Sequence, residues 1–410
     1  FVLILTDSQY IMLSYGSAYT VRNYEKEKSM VTQDIKYIGV NDHETDLFEG
    51  QYIVPNGISY NSYVIIDEKI AIMDTVDKKK CGDFMANLKA ALDGRKPDYL
   101  VVQHVEPDHA SSVQAVVDEY PEVTIVASAG AMRMLPQYIE KDLSTAKTVK
   151  EGDELCLGKH VLTFVAAPMV HWPEVIMTYD KTDKVLFSAD GFGKFGALDV
   201  EEDWDCEARR YYFNIVGKFG QNVQDVMKKA AGLDIQVICP LHGPILKETI
   251  PHVLEKYQIW SSYGVESEGV FIAYVSMHGN TAEAAKKLAE LLEEKGCPRV
   301  AIADLARDDG AECLEDAFRH GKLVLAAPSY NGGVMPFMGD FLHHLAIKDY
   351  QKRTVALIEN GSWAPSAAKT MKASLAQMKD IEILDTVTVR GKVKPADVEA
   401  LSALADKLMA

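Results

Sequence analysis

The sequence has no Cys-x-x-Cys pair. Its six cysteines (Cys81, Cys156, Cys206, Cys239, Cys297 and Cys313) are scattered, which excludes a zinc ribbon or a rubredoxin-type iron centre. A disulfide framework does not suit a chain this long, so a reducing cytoplasm is the expected compartment. Positive charge is also scarce. The formal net charge is −17, and without a basic face no nucleic-acid partner is expected. No uninterrupted apolar run approaches the roughly 20 residues of a membrane-spanning helix, so no membrane partner is expected either. What is present is apolar bulk: 48% of 410 residues are hydrophobic, enough for two domains with a core each.

Residues 1–29 fit neither domain. The chain opens at Phe1, and the run Phe1–Leu5 is broken at Asp7 without the basic start and small-residue cleavage site of a secretory signal. This stretch is read as a dispensable extension ahead of Met30. Residues 30–264 alternate strands and helices. Tyr63–Asp67 and Ile70–Asp74 form an expected hairpin. Apolar runs at Tyr99–Gln103, Val123–Ala127, Val161–Ala166, Val185–Ala189 and Ile235–Cys239 read as strands, and Gly82–Leu92 and Ala208–Lys218 as helices. The periodicity pauses at Ser261–Gly269, where a domain boundary is placed. Residues 265–410 then repeat a βαβ pattern with strands at Val270–Val275, Arg299–Asp304, Leu323–Ala327, Thr354–Ile358 and Glu382–Thr388 and helices at Thr281–Lys295 and Ala396–Leu408. That alternation predicts a doubly wound, flavodoxin-like parallel sheet in an α/β protein.

The strongest chemical signal is His104-Val105-Glu106-Pro107-Asp108-His109, directly after a strand. If the segment stays extended, His104, Glu106 and Asp108 share one side. His171, Asp190 and His242 each follow another strand. Four strands therefore deliver metal-type side chains at their C-terminal ends, which converge in a layered α/β fold. A lone His or Asp there is usually a turn residue; seven together argue for a metal site. Three carboxylates and up to four imidazoles, with no thiolate, suit iron or manganese better than zinc. Seven donors are too many for one ion, so two metals roughly 3.5–4 Å apart are expected, with Asp190 as the bridge.

This pattern resembles the metallo-β-lactamase superfamily motif His-x-His-x-Asp-His, with Glu106 in place of the second His. That departure is the mark of the flavodiiron proteins, and the resemblance spans residues 31–410. It implies an αββα sandwich ahead of the flavodoxin-like sheet. It implies His104, Glu106 and His171 on one iron, Asp108, His109 and His242 on the other, and Asp190 between them. In some family members the His matching His109 is turned away and water replaces it, so its role stays open. By analogy His43 and Tyr212 are candidates to approach the irons; a turn histidine and a helix-packing tyrosine are the plainer readings. Trp172 is read as a pocket wall, and neither His160 nor His278 receives a metal role.

In the second domain, Ser276-Met277-His278-Gly279-Asn280-Thr281 lies between a strand and a helix and forms an anion cradle. It is neither a dinucleotide loop nor a P-loop, and a single monophosphate fits it best. Pro328-Ser329-Tyr330-Asn331-Gly332-Gly333 and Glu359-Asn360-Gly361-Ser362-Trp363-Ala364 follow the next strands on the same edge. Tyr330 and Trp363 could flank a flavin ring, with small residues allowing backbone approach to its polar edge. These loops resemble flavodoxins, which implies FMN. The cofactors expected are thus FMN and two iron ions. Two ferrous ions and a reduced flavin hold four electrons, enough to take dioxygen to water; two electrons couple two nitric oxide molecules to nitrous oxide and water. The resemblance implies these two activities, in oxygen and nitrosative stress detoxification, and a head-to-tail homodimer or a dimer of dimers. With no nicotinamide fingerprint read in the sequence, electrons are expected from an external donor, rubredoxin by resemblance, or a reduced deazaflavin. The alternative is a metal-dependent hydrolase of the lactamase superfamily, which would have no use for FMN.

Overall fold

The computed structural model describes residues 30–410 in full. Ahead of them it describes only the backbone of two antiparallel strands, Val2–Thr6 and Gln9–Leu13. The reading of residues 1–29 as dispensable otherwise lies outside the described residues.

Short strands build the first half, the central ones apolar and buried on both faces. One six-stranded sheet runs in the order Lys147–Val149, Thr124–Ser128, Tyr99–Val102, Ala71–Met73, Tyr63–Ile65, Ile35–Tyr37. The hairpin expected near residue 67 is there, with Tyr63 paired to Met73. A five-stranded sheet, Glu154–Cys156, Val161–Ala166, Ile176–Asp180, Val185–Phe187, Val237–Cys239, lies against it. Tyr63, Met73, Val101 and Val126 of the first meet Phe164, Ile176, Phe187 and Cys239 of the second in one buried cluster. Two sheets sharing a core must each be apolar on both faces once helices cover the outside, which is why these strands read as unbroken apolar runs.

The second half is a parallel sheet in the order Val300–Asp304, Ser267–Tyr274, His320–Tyr330, Arg353–Asn360, Ile381–Val389. In chain order this is 2-1-3-4-5, the flavodoxin-like winding, whose switch point lies at the C-terminal end of the first strand. Helices Asn280–Glu294 and Pro395–Met409 cover one face through Ala285, Leu288, Leu401 and Leu404. Helices Gly310–Arg319, Pro336–Ile347 and Ala367–Leu375 cover the other.

Two elements depart from the sequence reading. The segment after Val102 does not stay extended: Pro107–Ala110 is a turn of helix with Pro107 at its start. The helix expected over Ala208–Lys218 begins earlier, at Trp204, under an Asp203 cap, and changes at Tyr212–Val216 to a wider π turn. That turn carries Phe213, which stacks on Phe318 of the second half at 4.3 Å between ring centres. Among the described residues no helix is long and apolar enough to cross a membrane.

Candidate functional site

The sheets bring four sequence segments to one place. His104 and Glu106 leave the end of strand Tyr99–Val102, and the helical turn that follows lifts Asp108 and His109. His109 is tied down by its carbonyl, which accepts the Thr75 hydroxyl at 2.5 Å. His171 precedes strand Ile176–Asp180. Asp190 follows Val185–Phe187 in a tight turn in which Ala189 and Phe192 take positive φ of 49° and 68°. Such conformations persist only where surroundings over-determine them. His242 follows Val237–Cys239, and its loop is pinned by Asn61 Nδ2, which donates to the carbonyls of Pro240 and Gly243.

The side chains fall into two groups sharing one carboxylate. Glu106 Oε2 lies 3.1 Å from His104 Nε2 and 2.9 Å from His171 Nε2. Asp108 Oδ2 lies 3.2 Å from both His109 Nε2 and His242 Nε2, which are 3.0 Å apart. Asp190 faces both groups. Its Oδ2 is 3.2 Å from His104 Nε2 and 3.5 Å from His171 Nε2; its Oδ1 is 3.5 and 3.6 Å from His109 and His242 Nε2. All seven candidate donors thus meet. His109, whose direction the sequence left open, points inward.

Burial and charge oppose one another here. Burial disfavours charge on His104 and His109, yet the carboxylates prevail: Asp190, Glu106 and Glu174 raise His104 well above the ordinary histidine value, and Asp108 with Asp190 raises His109 to about 10. Against the same burial, the histidines hold Asp108 and Asp190 below the usual carboxylate range, and His104 and His171 do so for Glu106. Among the described residues the ion-pair partners of these three carboxylates are all histidines. A cluster answered only by protons on imidazoles is one that cations can take over, since they displace those protons. The donor set therefore fits metal ions, and its division fits two.

The surroundings held surprises. Tyr211, not Tyr212, donates its hydroxyl to Asp190 Oδ1, at 3.1 Å; Tyr212 packs among Phe213, Tyr257 and Trp260. His43 is half-exposed and pairs with Asp199 instead of nearing the cluster. Trp172 sets its ring edge-on to His104 at 5.2 Å, as a wall does. Glu174 accepts from His104 Nδ1 at 2.8 Å and was missed, because in sequence it is only an acidic residue in a turn. His160 lies beside Asp34 and Asp183, but Lys159 and Thr32 already answer those carboxylates. The spacing Gly-x-Gly-x-x-Gly does occur elsewhere in the chain, at Gly191–Gly196. It opens no helix there and wraps the Asp190 turn, so it is not a dinucleotide loop.

In the second half a cleft of roughly 790 Å³ opens at the strand C-termini. Ser276, Met277, His278, Asn280 and Thr281 line one end; Pro328, Ser329, Tyr330, Asn331 and Gly332 line a second side, and Asn360, Gly361, Ser362 and Trp363 a third. Gly279 and Gly333, also expected, stand behind the lining: Gly279 starts helix Asn280–Glu294 at φ 90°, and Gly333 pairs with Tyr330. Ala364, the last residue of the third loop, joins the lining, and Ser366 and Gly391 do so unforeseen. Two polar side chains are occupied at home. Ser329 Oγ accepts the Ser366 N–H at 2.7 Å, and the Asn360 amide bonds both ways with Gly391. Trp363 is 90% exposed and Tyr330 41%, as free aromatic faces for a planar ligand would be. Backbone donors at a 15-residue helix start fit a phosphate.

A lactamase-type donor cluster and a flavodoxin-type cleft in one chain define a two-site oxidoreductase. A family model described as ODP family beta lactamase matches residues 58–243. An uncharacterized protein of Methanocaldococcus jannaschii is 31% identical over 349 residues, 83% of this chain and 88% of that one. The anaerobic nitric oxide reductase flavorubredoxin of Klebsiella pneumoniae is 28% identical over 91% of this chain and 79% of its own. The structure of rubredoxin oxygen:oxidoreductase from Desulfovibrio gigas superposes with a TM-score of 0.86 at 26% identity, covering 92% and 97% of the two chains. The flavodiiron protein of Giardia intestinalis, at 23% identity and a TM-score of 0.85 over 93% and 96%, shares the fold. The chain belongs to the flavodiiron proteins, a family that carries FMN and a non-haem di-iron centre.

Proposed function

We propose that this chain reduces dioxygen to water and nitric oxide to nitrous oxide, with electrons passing from an external rubredoxin-type donor through FMN. His104, Glu106 and His171 would hold one iron, Asp108, His109 and His242 the other, and Asp190 would span both. Residues 30–264 and 265–410 are the two working units. The observation that carries this reading is the division of Asp190, one oxygen toward each group of donors. A single-ion site has no need of that division.

When bound, two ferrous ions and reduced FMN together supply the four electrons that dioxygen needs, or the two that a pair of nitric oxide molecules needs. The chain's residues do the rest. Tyr211 donates to Asp190 and fixes its orientation. Ser59 accepts from His242 Nδ1 through its carbonyl at 2.7 Å, leaving Nε2 as the free donor. Phe48 and Trp172 set ring edges against His242 and His104 and keep water from competing along those walls. The hydrolase alternative leaves the second cleft without a purpose. Its aromatic faces and helix-start donors favour the redox reading.

Iron and flavin analysis of purified protein, followed by steady-state turnover with each gas under rubredoxin reduction, tests the proposal. Two irons and one FMN per chain, with consumption of either gas, are expected. Zinc in place of iron, or turnover of neither gas by the loaded enzyme, would sink it.

A further inference from the structure

Each imidazole of the donor cluster has a second ring nitrogen, and what that nitrogen meets differs across the site. His242 Nδ1 meets a neutral carbonyl, that of Ser59. His109 Nδ1 is buried with no hydrogen-bond partner. His104 Nδ1 meets the carboxylate of Glu174 at 2.8 Å, and that side chain is 1% exposed. The carboxylate is held in place. Its Oε1 also accepts the Val105 N–H at 3.1 Å, and the Glu174 carbonyl accepts the Ser128 hydroxyl at 2.7 Å. Gly130 leaves room for it: a β-carbon there would sit 2.8 Å from Glu174 Cβ. Among the described residues the only ion-pair partner of Glu174 is His104. Asp74 is also buried, close enough to His109 to feel its charge, but both its oxygens accept from Gln103. Among the described residues a buried carboxylate therefore hydrogen-bonds an imidazole in one half of the cluster and not in the other.

We infer that Glu174 is a positioning residue that makes the two metal positions inequivalent, favouring the ferric state and tighter binding at the position served by His104, Glu106 and His171. The inference rests on the di-iron reading above. An N–H donated to a carboxylate fixes the tautomer, so that Nε2 keeps its lone pair toward the cluster. It also lends the ring negative character, which strengthens Nε2 as a donor and stabilises the more highly charged ion. Burial keeps solvent from screening that effect. A carbonyl, as behind His242, polarises the ring less, and His109 Nδ1 makes no hydrogen bond through which Asp74 could do the same.

The test uses full-length enzyme carrying iron and FMN, as wild type and as Glu174→Gln. Gln keeps the shape and an acceptor oxygen but removes the charge. Redox titration followed by electron paramagnetic resonance of the half-reduced pair is expected to show one iron couple moved to higher potential and the other unmoved. Chelator challenge is expected to strip one of the two irons about 10- to 100-fold more readily. Glu174→Asp keeps the charge but draws it back by one methylene, and is expected to move the same couple by less. Unchanged couples and iron retention in either folded variant, or an equal shift of both couples, would overturn the inference. Wild-type protein that holds no pair of irons would instead sink the di-iron reading beneath it.

Discussion

Glu106 is the side chain that separates this cluster from one dominated by histidine. Its Oε2 faces two imidazoles at once, and a carboxylate there hardens the donor set toward iron. Glu106→His should lower iron retention and favour zinc; metal analysis that finds an unchanged iron pair would count against the ligand argument. A second expectation concerns pH. In the metal-free protein His104 and His109 hold protons tightly because carboxylates surround them, His109 up to about pH 10. Metal must displace those protons, so they compete harder as pH falls, and iron affinity should rise with pH. An indicator dye should register proton release on iron loading at neutral pH; loading without proton release would contradict the charge account. Much of this was legible in the sequence, because His104, Glu106, Asp108 and His109 are crowded into one motif. Glu174 and Tyr211 were not, because a lone acid in a turn and one of two adjacent tyrosines carry no spacing signal.

Between elements, the helix Trp204–Tyr211 couples the two halves of the chain. Arg209 bonds to Glu315 on helix Gly310–Arg319 and lies 2.9 Å from Glu266, just ahead of strand Ser267–Tyr274. All three side chains are almost wholly buried. Arg209→Ala would leave Glu315 buried without its ion-pair partner, while Glu266 keeps Lys256 and Trp260, at a cost of about 3–5 kcal/mol. Denaturant unfolding should show that loss, with Arg209→Met/Glu315→Leu recovering much of it. A cost near zero for the single change would mean that the halves are held by other contacts, such as the Phe213–Phe318 stack and the Arg210 pairs with Asp309 and Glu312. The sequence pattern located these helices only in part. It missed Gly310–Arg319, although Ala311, Leu314, Ala317 and Phe318 there keep helical spacing, and it missed the π turn, which no regular period marks.

At the scale of the molecule, the donor cluster belongs to one unit and the cleft to the other, and both lie at strand C-termini. A head-to-tail pair of chains would set one chain's cleft beside the partner's cluster. Sedimentation should therefore give twice the 45.4 kDa chain mass. Dilution to monomers should cost turnover while iron and FMN contents hold. Monomers that turn over at the full rate would exclude the arrangement.

The sequence by itself determined the chemistry. It set which donor atoms are available, that none is a thiolate, that glycine and hydroxyl residues follow the strands of the second unit, and that apolar runs alternate as α/β layers require. These are local properties, written in composition and spacing. Only the tertiary structure decided which oxygen of Asp190 faces each group of donors, which tyrosine reaches it, and that a buried carboxylate hydrogen-bonds His104. Those outcomes depend on contacts between residues far apart in the chain, such as Glu174 with His104 and Asn61 with the His242 loop. No local pattern encodes such contacts, because they exist only once the two sheets have packed.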